Sequence, residues 1–231
     1  NSEIGGALYY VSMPDFKLDY KDYTDYMIRE TKEVVKDIRT DTEVTADMIN
    51  DGGYDVAIVA SGAETFIPAI PGTEKGGILD PLKVLDGKET TGDRVIVCGA
   101  GLVGCEVAMV LAEQGKDVTM VDMLPTAAPE LAIYTKWVLD AELAELGVKV
   151  KVNHKITEMT ANGITCDCGG ETVSYSGDSV ICALGLKPCR KLLDDLRANC
   201  PGTEIIPAGD VNKPRKIMQA THEGFHAARR I

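Results

Sequence analysis

The stretch that decides the fold runs from Asp93 to Asp122: DRVIVCGAGLVGCEVAMVLAEQGKDVTMVD. It begins with a short apolar run, Val95-Ile96-Val97, the composition of a strand buried on both faces. Gly99, Gly101 and Gly104 follow at G-x-G-x-x-G spacing, and an apolar stretch of helical period, Leu102 to Glu113, is stopped by Gly115. Val118 to Val121 reads as a second strand, closed by Asp122. Strand, glycine turn, helix, strand and terminal acid together make a dinucleotide-binding fingerprint. Each part has a chemical reason. A tight turn with close backbone approach needs residues without Cβ, and the first turn of a helix offers unpaired N–H groups to a pyrophosphate. The carboxylate at the strand end accepts hydrogen bonds from a ribose diol.

Composition bounds the rest. The 231 residues leave room for one large domain or two modest ones, and 45% hydrophobic with 26% charged residues is an ordinary globular balance. No run approaches the length of a membrane span, and the N-terminus has no basic-then-apolar signal pattern. A net charge of −12 argues against a nucleic-acid or membrane-surface partner. Seven cysteines, several inside apolar patterns and none in C-x-x-C spacing, read as reduced thiols of a cytoplasmic protein. Cys166-Asp-Cys168, followed by Gly169 and Gly170, reads as a hairpin rather than a metal or redox pair. The chain opens at Asn1 with no Met and no starting strand, so a piece of a longer protein is expected.

Working outward, residues 1–15 read as loop. Lys17 to Ile38 interleaves charged residues with Leu18, Tyr23, Met27, Ile28, Val34, Val35 and Ile38 at the spacing of an amphipathic helix. Thr40 to Thr45 suits a short strand. Residues 54–64 read as a buried strand ending in Ala60-Ser61-Gly62, residues 67–72 as a rigid loop, and residues 73–92 as a connector. After Asp122, a proline-punctuated loop leads to a helix over Glu130 to Leu146, stopped by Gly147. Val148 to Val152 and Lys155 to Thr160 read as strands, with a hairpin over 163–174. Asp178 to Pro188 repeats the earlier pattern of an apolar run followed by Ala183-Leu184-Gly185. Glu204 to Asp210 is a strand running into Gly209-Asp210, and Met218 to Arg230 forms a final helix. Two strand-to-glycine endings imply two related, nucleotide-proximal units.

Gly5-Gly6-Ala7-Leu8, ASGA (60–63) with IPAIPG (67–72), GAGLVGCE (99–106), ALGLKP (183–188) and IPAGDVNKPRKIMQATHEGFHAARR (206–230) form an ordered series. Across nearly the whole chain this series resembles flavoprotein reductases with two dinucleotide-binding domains. The similarity is greatest to the C-terminal FAD/NAD(P)H-binding module of Old Yellow Enzyme-type NADH:flavin oxidoreductases, the 2-enoate and 2,4-dienoyl-CoA reductases. The resemblance implies an α/β, Rossmann-like fold of the flavoprotein disulfide-reductase type. Residues 1–90 and 190–231 would form a discontinuous FAD-domain remnant lacking its first βαβ unit, and residues 91–189 the NAD(P)H-binding domain. It implies that Gly99, Gly101, Leu102, Val103 and Gly104 hold the pyridine-nucleotide pyrophosphate, with the acid Glu106 close by and Asp122 and Met123 at the ribose. Gly185 would line the nicotinamide side, Ser61 and Gly62 the hinge-like strand end, and Gly209 with Asp210 the flavin ribityl chain. FAD is expected in the intact protein rather than in this stretch alone. FMN, an iron–sulfur cluster and a TIM-barrel domain are expected upstream in the same polypeptide.

The implied reaction is hydride transfer from NADH to FAD, serving reduction of an enoate or enoyl-type substrate at the upstream FMN. The protein's share is placement, so no side chain here need act as acid, base or nucleophile. The alternative is a structural module that binds ADP or NAD and transfers no electrons. Asp122 favours NADH over NADPH, because a carboxylate repels a 2′-phosphate and Met123, Leu124 and Pro125 supply no cation. His222-Glu-Gly-Phe-His226 is a formal H-E-x-x-H match that would suit zinc, but a docking helix with chance spacing is the favoured reading and no metal is expected. Lys213, Arg215 and Lys216 read as a solvated loop, His154 as structural or exposed, and Tyr9, Tyr10, Tyr20, Tyr23 and Tyr26 as packing residues.

Overall fold

The computed structural model describes residues 2–231. In chain order the first elements are α1 (Ala7–Val11), α2 (Leu18–Val34), α3 (Ala46–Gly52), β1 (Val56–Val59), β2 (Ala63–Thr65) and α4 (Pro81–Leu85). Next come β3 (Arg94–Cys98), α5 (Leu102–Glu113), β4 (Asp117–Val121), α6 (Ile133–Glu145), β5 (Lys149–Lys151) and β6 (Lys155–Thr160). The remainder are β7 (Gly163–Cys168), β8 (Glu171–Ser176), β9 (Ser179–Cys182), β10 (Leu186–Pro188), α7 (Lys191–Asn199), β11 (Glu204–Pro207) and α8 (Ile217–Ala228). The chain divides into two units. One comprises residues 2–12, 18–64 and 186–231, the other residues 13–17 and 65–185.

The second unit is built on β3. Its strands lie in the order β5-β4-β3-β9, all parallel, with Val97 opposite both Met120 and Ile181. Successive side chains of a strand point to opposite faces. Val95 and Val97 enter a core with Val107, Leu111, Met120 and Leu143, covered by α4, α5 and α6. Ile96 and Cys98 enter a second core with Met159, Ile164, Cys166 and Val180. That core is covered by the antiparallel meander β6-β7-β8. Burial on both faces is why Val95 to Cys98 shows no polar alternation. Each such side chain contributes about 1.5–3 kcal/mol relative to exposure.

This unit begins earlier than the expected boundary at residue 91. Leu79 accepts from Cys182 and donates to Val180 along β9, and Leu79, Val84 and Leu85 pack on the first core. The expected connector 73–92 therefore holds α4, started by Asp80, whose carboxylate accepts from Leu82 N–H at 2.9 Å ahead of Pro81.

In the first unit β1 and β11 pair in parallel, and α3 and α7 cover them through Ala46, Val59, Leu193, Leu196, Cys200 and Val211. The predicted strand over Thr40 to Thr45 does not form. Thr45 instead caps α3, accepting from Met48 N–H. The predicted loop over 1–15 contains α1, and α7 falls where the sequence reading places no element. The predicted helix over 130–146 starts three residues late, at Ile133. Helix α2 buries only Thr24. Tyr9, Tyr20, Tyr23 and Tyr26 stand exposed rather than packed, although Tyr9 meets Tyr10 edge-on. Among the described residues no helix is long and apolar enough to cross a membrane.

All seven cysteines are free thiols, five of them buried, with Cys168 and Cys189 partly exposed. Burial holds the Cys98 thiol well above its ordinary value and pushes Cys166 up to about 11. Only thiolates react. A chromogenic disulfide reagent at neutral pH should therefore titrate no more than Cys168 and Cys189 in the native protein, and all seven once it is denatured. Rapid native reaction of three or more would contradict the burial of the other five.

Candidate functional site

In the unit containing β3, the strand ends converge. Gly99 donates to Val121 O at 2.8 Å and Ala183 donates to Cys98 O at 2.7 Å, which ties the exits of β4, β3 and β9 together. The three turn glycines serve three purposes. Gly99 has φ +103°, and a Cβ there would lie 2.4 Å from the carbonyl oxygen of Ala183. At Gly104 a Cβ would lie 2.0 Å from Gly99 O, so α5 can press against the turn only without a side chain. Gly101, the N-cap of α5, has ordinary extended backbone, and a Cβ there meets nothing within 4 Å. Two of these glycines serve the protein's own packing, and the third faces open space.

Gly101 supplies no capping side chain, so the first N–H groups of α5 need partners from elsewhere. Leu102 N–H points at Glu130 Oε1 across 3.4 Å, a long contact that places an anion at the positive end of the helix. Val103, the next residue, is half-buried in the same first turn. Asp122 is half-buried and already engaged: Oδ2 accepts from Ala100 N–H at 2.7 Å and Oδ1 from Leu124 N–H at 2.8 Å. Each carboxylate oxygen keeps a second lone pair. Met123 beside it is 62% exposed. Ala128, fully buried at φ +40°, donates to Ala100 O at 2.7 Å, so the loop after β4 lies along the glycine turn. A non-glycine residue in this conformation marks strain of the kind found at functional sites.

Glu106 on α5 forms an ion pair with Lys17, both side chains being mostly buried. Gly185, at φ +128°, has open space at its Cα, and its carbonyl accepts from Phe66 N–H. Burial drives the Cys105 thiol, in the first turn of α5, up to about 12, so no thiolate stands at this turn.

The other predicted residues belong to the other unit, at the carboxyl ends of β1 and β11. Ala208 donates to Val59 O at 2.9 Å and joins these exits. Ser61 Oγ donates to Cys189 O at 2.6 Å, and Cys189 returns a bond to Gly62 O. Gly209 adopts φ +75°, and its N–H donates to Glu223 Oε2 at 2.8 Å. Asp210 Oδ1 accepts from Arg215 N–H at 3.1 Å. Lys213, Arg215 and Lys216 lie exposed on the loop as expected, and the Arg215 guanidinium pairs with Glu223. Among the described residues no group of three or more His, Cys, Asp or Glu side chains could hold a metal. His154 bonds Val152 O and lies against Tyr175.

Sequence reasoning missed Lys17, Glu130 and Glu223. Glu130 lies 28 residues from Leu102 and Glu223 lies 14 from Gly209, separations with no local period to betray them. The only hint was the acid in His222-Glu223, which the zinc-like pattern drew attention to for another reason.

The glycine geometry separates stability from binding. Gly101→Ala should leave unfolding free energy within about 1 kcal/mol, whereas Gly104→Ala should lower it by about 2 kcal/mol or more through the clash with Gly99 O. Urea denaturation of both variants reads the difference, and equal losses would contradict it.

The sequence profile of the pyridine nucleotide-disulphide oxidoreductases matches residues 16–221. Bilirubin reductase of Mediterraneibacter gnavus is 34% identical over 226 residues, which cover 97% of this chain and 35% of that protein. Cinnamate reductase of Clostridium sporogenes is 28% identical over 235 residues, covering 100% and 35%. The solved structure of 2-naphthoyl-CoA reductase matches the whole chain with a TM-score of 0.93 at 24% identity, over 35% of its own length, and so speaks for the fold. The chain spans about a third of the length of these relatives. With its parallel sheet, glycine turn and terminal acid, this α/β Rossmann-like chain belongs to the pyridine nucleotide-disulphide oxidoreductase family.

Proposed function

We propose that this chain is the electron-entry module of a flavin-dependent oxidoreductase, binding NADH at the β3 turn and forming part of a FAD site at the ends of β1 and β11. The support for NADH is the open approach at Gly101 beside a helix end whose Leu102 N–H is only weakly engaged. Gly99 and Gly104 shape the turn, Val103 adds an N–H near the helix end, and Asp122 retains acceptor capacity for a ribose with Met123 beside it. Glu106 is assigned a place close to the pyrophosphate turn, and Gly185 the nicotinamide side. Ser61, Gly62, Gly209 and Asp210 are assigned to flavin. One observation fits a polar occupant there: Asp210 Oδ1 accepts from Arg215 N–H, and the carboxylate keeps lone pairs for hydroxyl donors.

When bound, NADH supplies a hydride and FAD accepts it. The chain's own residues hold, orient and screen, and none is assigned as acid, base or nucleophile. In the intact protein we place an FMN and iron–sulfur domain of TIM-barrel type upstream, in the cytoplasm, with an enoate or enoyl substrate. Kinship with cinnamate reductase and the threefold greater length of the relatives favour that arrangement.

The observation that carries the NADH assignment is Asp122 at the end of β4, held toward the turn by Ala100 and followed by no cation. Titration of the intact protein should show tighter binding of NADH than of NADPH. Asp122→Ala should weaken NADH about tenfold, or about 1.4 kcal/mol, while NADPH, relieved of the repulsion on its 2′-phosphate, should bind at least as tightly as before. Preference for NADPH would overturn the assignment. The intact protein should also be yellow and bleach with NADH under anaerobic conditions. A colourless intact protein that binds ADP would instead support a structural nucleotide-binding module.

A further inference from the structure

We propose that Glu223 is a positioning residue for flavin, fixing the Gly209–Asp210 turn through its carboxylate; the proposal rests on the assignment of that turn to FAD. Every lone-pair direction that matters on Glu223 is turned inward. Oε2 accepts from Gly209 N–H at 2.8 Å and from Asn212 Nδ2 at 2.9 Å, while Oε1 receives the guanidinium of Arg215. Arg215 in turn donates its backbone N–H to Asp210 Oδ1 at 3.1 Å. An acid on α8 and a backbone N–H on the loop therefore bracket the turn, one holding its first N–H and the other its carboxylate, while the Arg215 guanidinium ties the two together. The side chains of Glu223 and Arg215 are 28% and 35% exposed, shielded enough for charge-assisted bonds to exceed ordinary neutral ones.

The geometry also explains why this contact is needed. Gly209 sits at φ +75°, a left-handed conformation, and its N–H donates to Glu223 rather than to a neighbouring strand. Ala220 of α8 lies 3.5 Å from where a Gly209 Cβ would stand, so the helix reaches the turn one helical turn before Glu223. Without Glu223, the Gly209 N–H and one Asn212 amide hydrogen lose their acceptor in a half-buried site. The far end of the turn is held separately, by Arg190 Nη2 on Asn212 O at 2.9 Å. Removing Glu223 therefore loosens the Asp210 end without cutting the turn free. In the H-E-x-x-H match, the acid that a zinc hydrolase would need as its base is thus already bound to backbone and guanidinium.

The test uses the intact protein and FAD as probe, with Glu223→Gln and Glu223→Ala. Glutamine keeps one carbonyl acceptor for Gly209 N–H but faces Arg215 without charge, so FAD affinity should fall about tenfold, and for alanine about a hundredfold. Flavin retained by the variants should show a shifted midpoint potential, because Asp210 is less firmly held. NADH affinity, measured on the same samples, should stay within about twofold. Unchanged FAD affinity and potential in both variants, with wild type flavinated, would overturn the role of Glu223 alone. Equal losses of FAD and NADH affinity, with a lowered apoprotein melting temperature, would reduce it to a structural contact and also overturn the proposal. A wild type that binds no FAD would instead overturn the functional assignment on which the proposal stands.

Discussion

Where β3 and β9 end side by side, the backbone at Gly99 passes so close to Ala183 that a single added carbon would lie 2.4 Å from a carbonyl oxygen. Much of the second unit follows from this approach. It lets Ala183 donate to Cys98 and extends the parallel pairing by one more bond. It turns the chain sharply enough for α5 to begin at Leu102, and the missing Cβ of Gly104 lets the helix settle against the turn. The helix then carries Val107 and Leu111 onto the face of the sheet where Val95 and Val97 are waiting. Turn, helix and core are thus one steric solution, and open space at Gly101 remains at its edge.

The second recurring device is the carboxylate as an acceptor for backbone N–H groups that the ladders leave out. Asp122 takes Ala100 and Leu124, Asp80 takes Leu82, Glu130 leans on Leu102, and Glu223 takes Gly209. A buried N–H without a partner costs as much as a lost hydrogen bond, and an ionised acceptor is a strong partner. Some of the excess of acids that gives the chain its charge of −12 is therefore spent on turns rather than on solubility.

The elements most legible in the sequence were those whose signal is local. The β3 run, the period of α5 and the stop near Gly115 were read within a residue, because burial on both faces and helical spacing are written into adjacent letters. The hairpin at Cys168-Gly169-Gly170 was legible for the same reason, its turn being closed by Asp167 on Gly170 N–H. Thr40 to Thr45 misled because β-branched residues suit a strand only where a neighbouring strand is available, and Thr45 found a cap instead. Helix α7 went unread because its apolar positions, Leu193 and Leu196, are few and matter only once β11 and α3 are beside them.

For the candidate site, the sequence by itself determined which residues stand at strand ends: the glycine triplet, Asp122, Ser61 with Gly62, and Gly209 with Asp210. Type and spacing suffice for that, since a turn without Cβ and an acid after a strand are local facts. Only the tertiary structure decided what each of them does there. It separated Gly99 and Gly104, filled by the protein's own carbonyls, from Gly101, which is open. It also brought Lys17 to Glu106, Glu130 to Leu102 and Glu223 to Gly209. Those pairings depend on where distant backbone is left with an unsatisfied N–H or charge, and that is settled only when the strands and helices have packed.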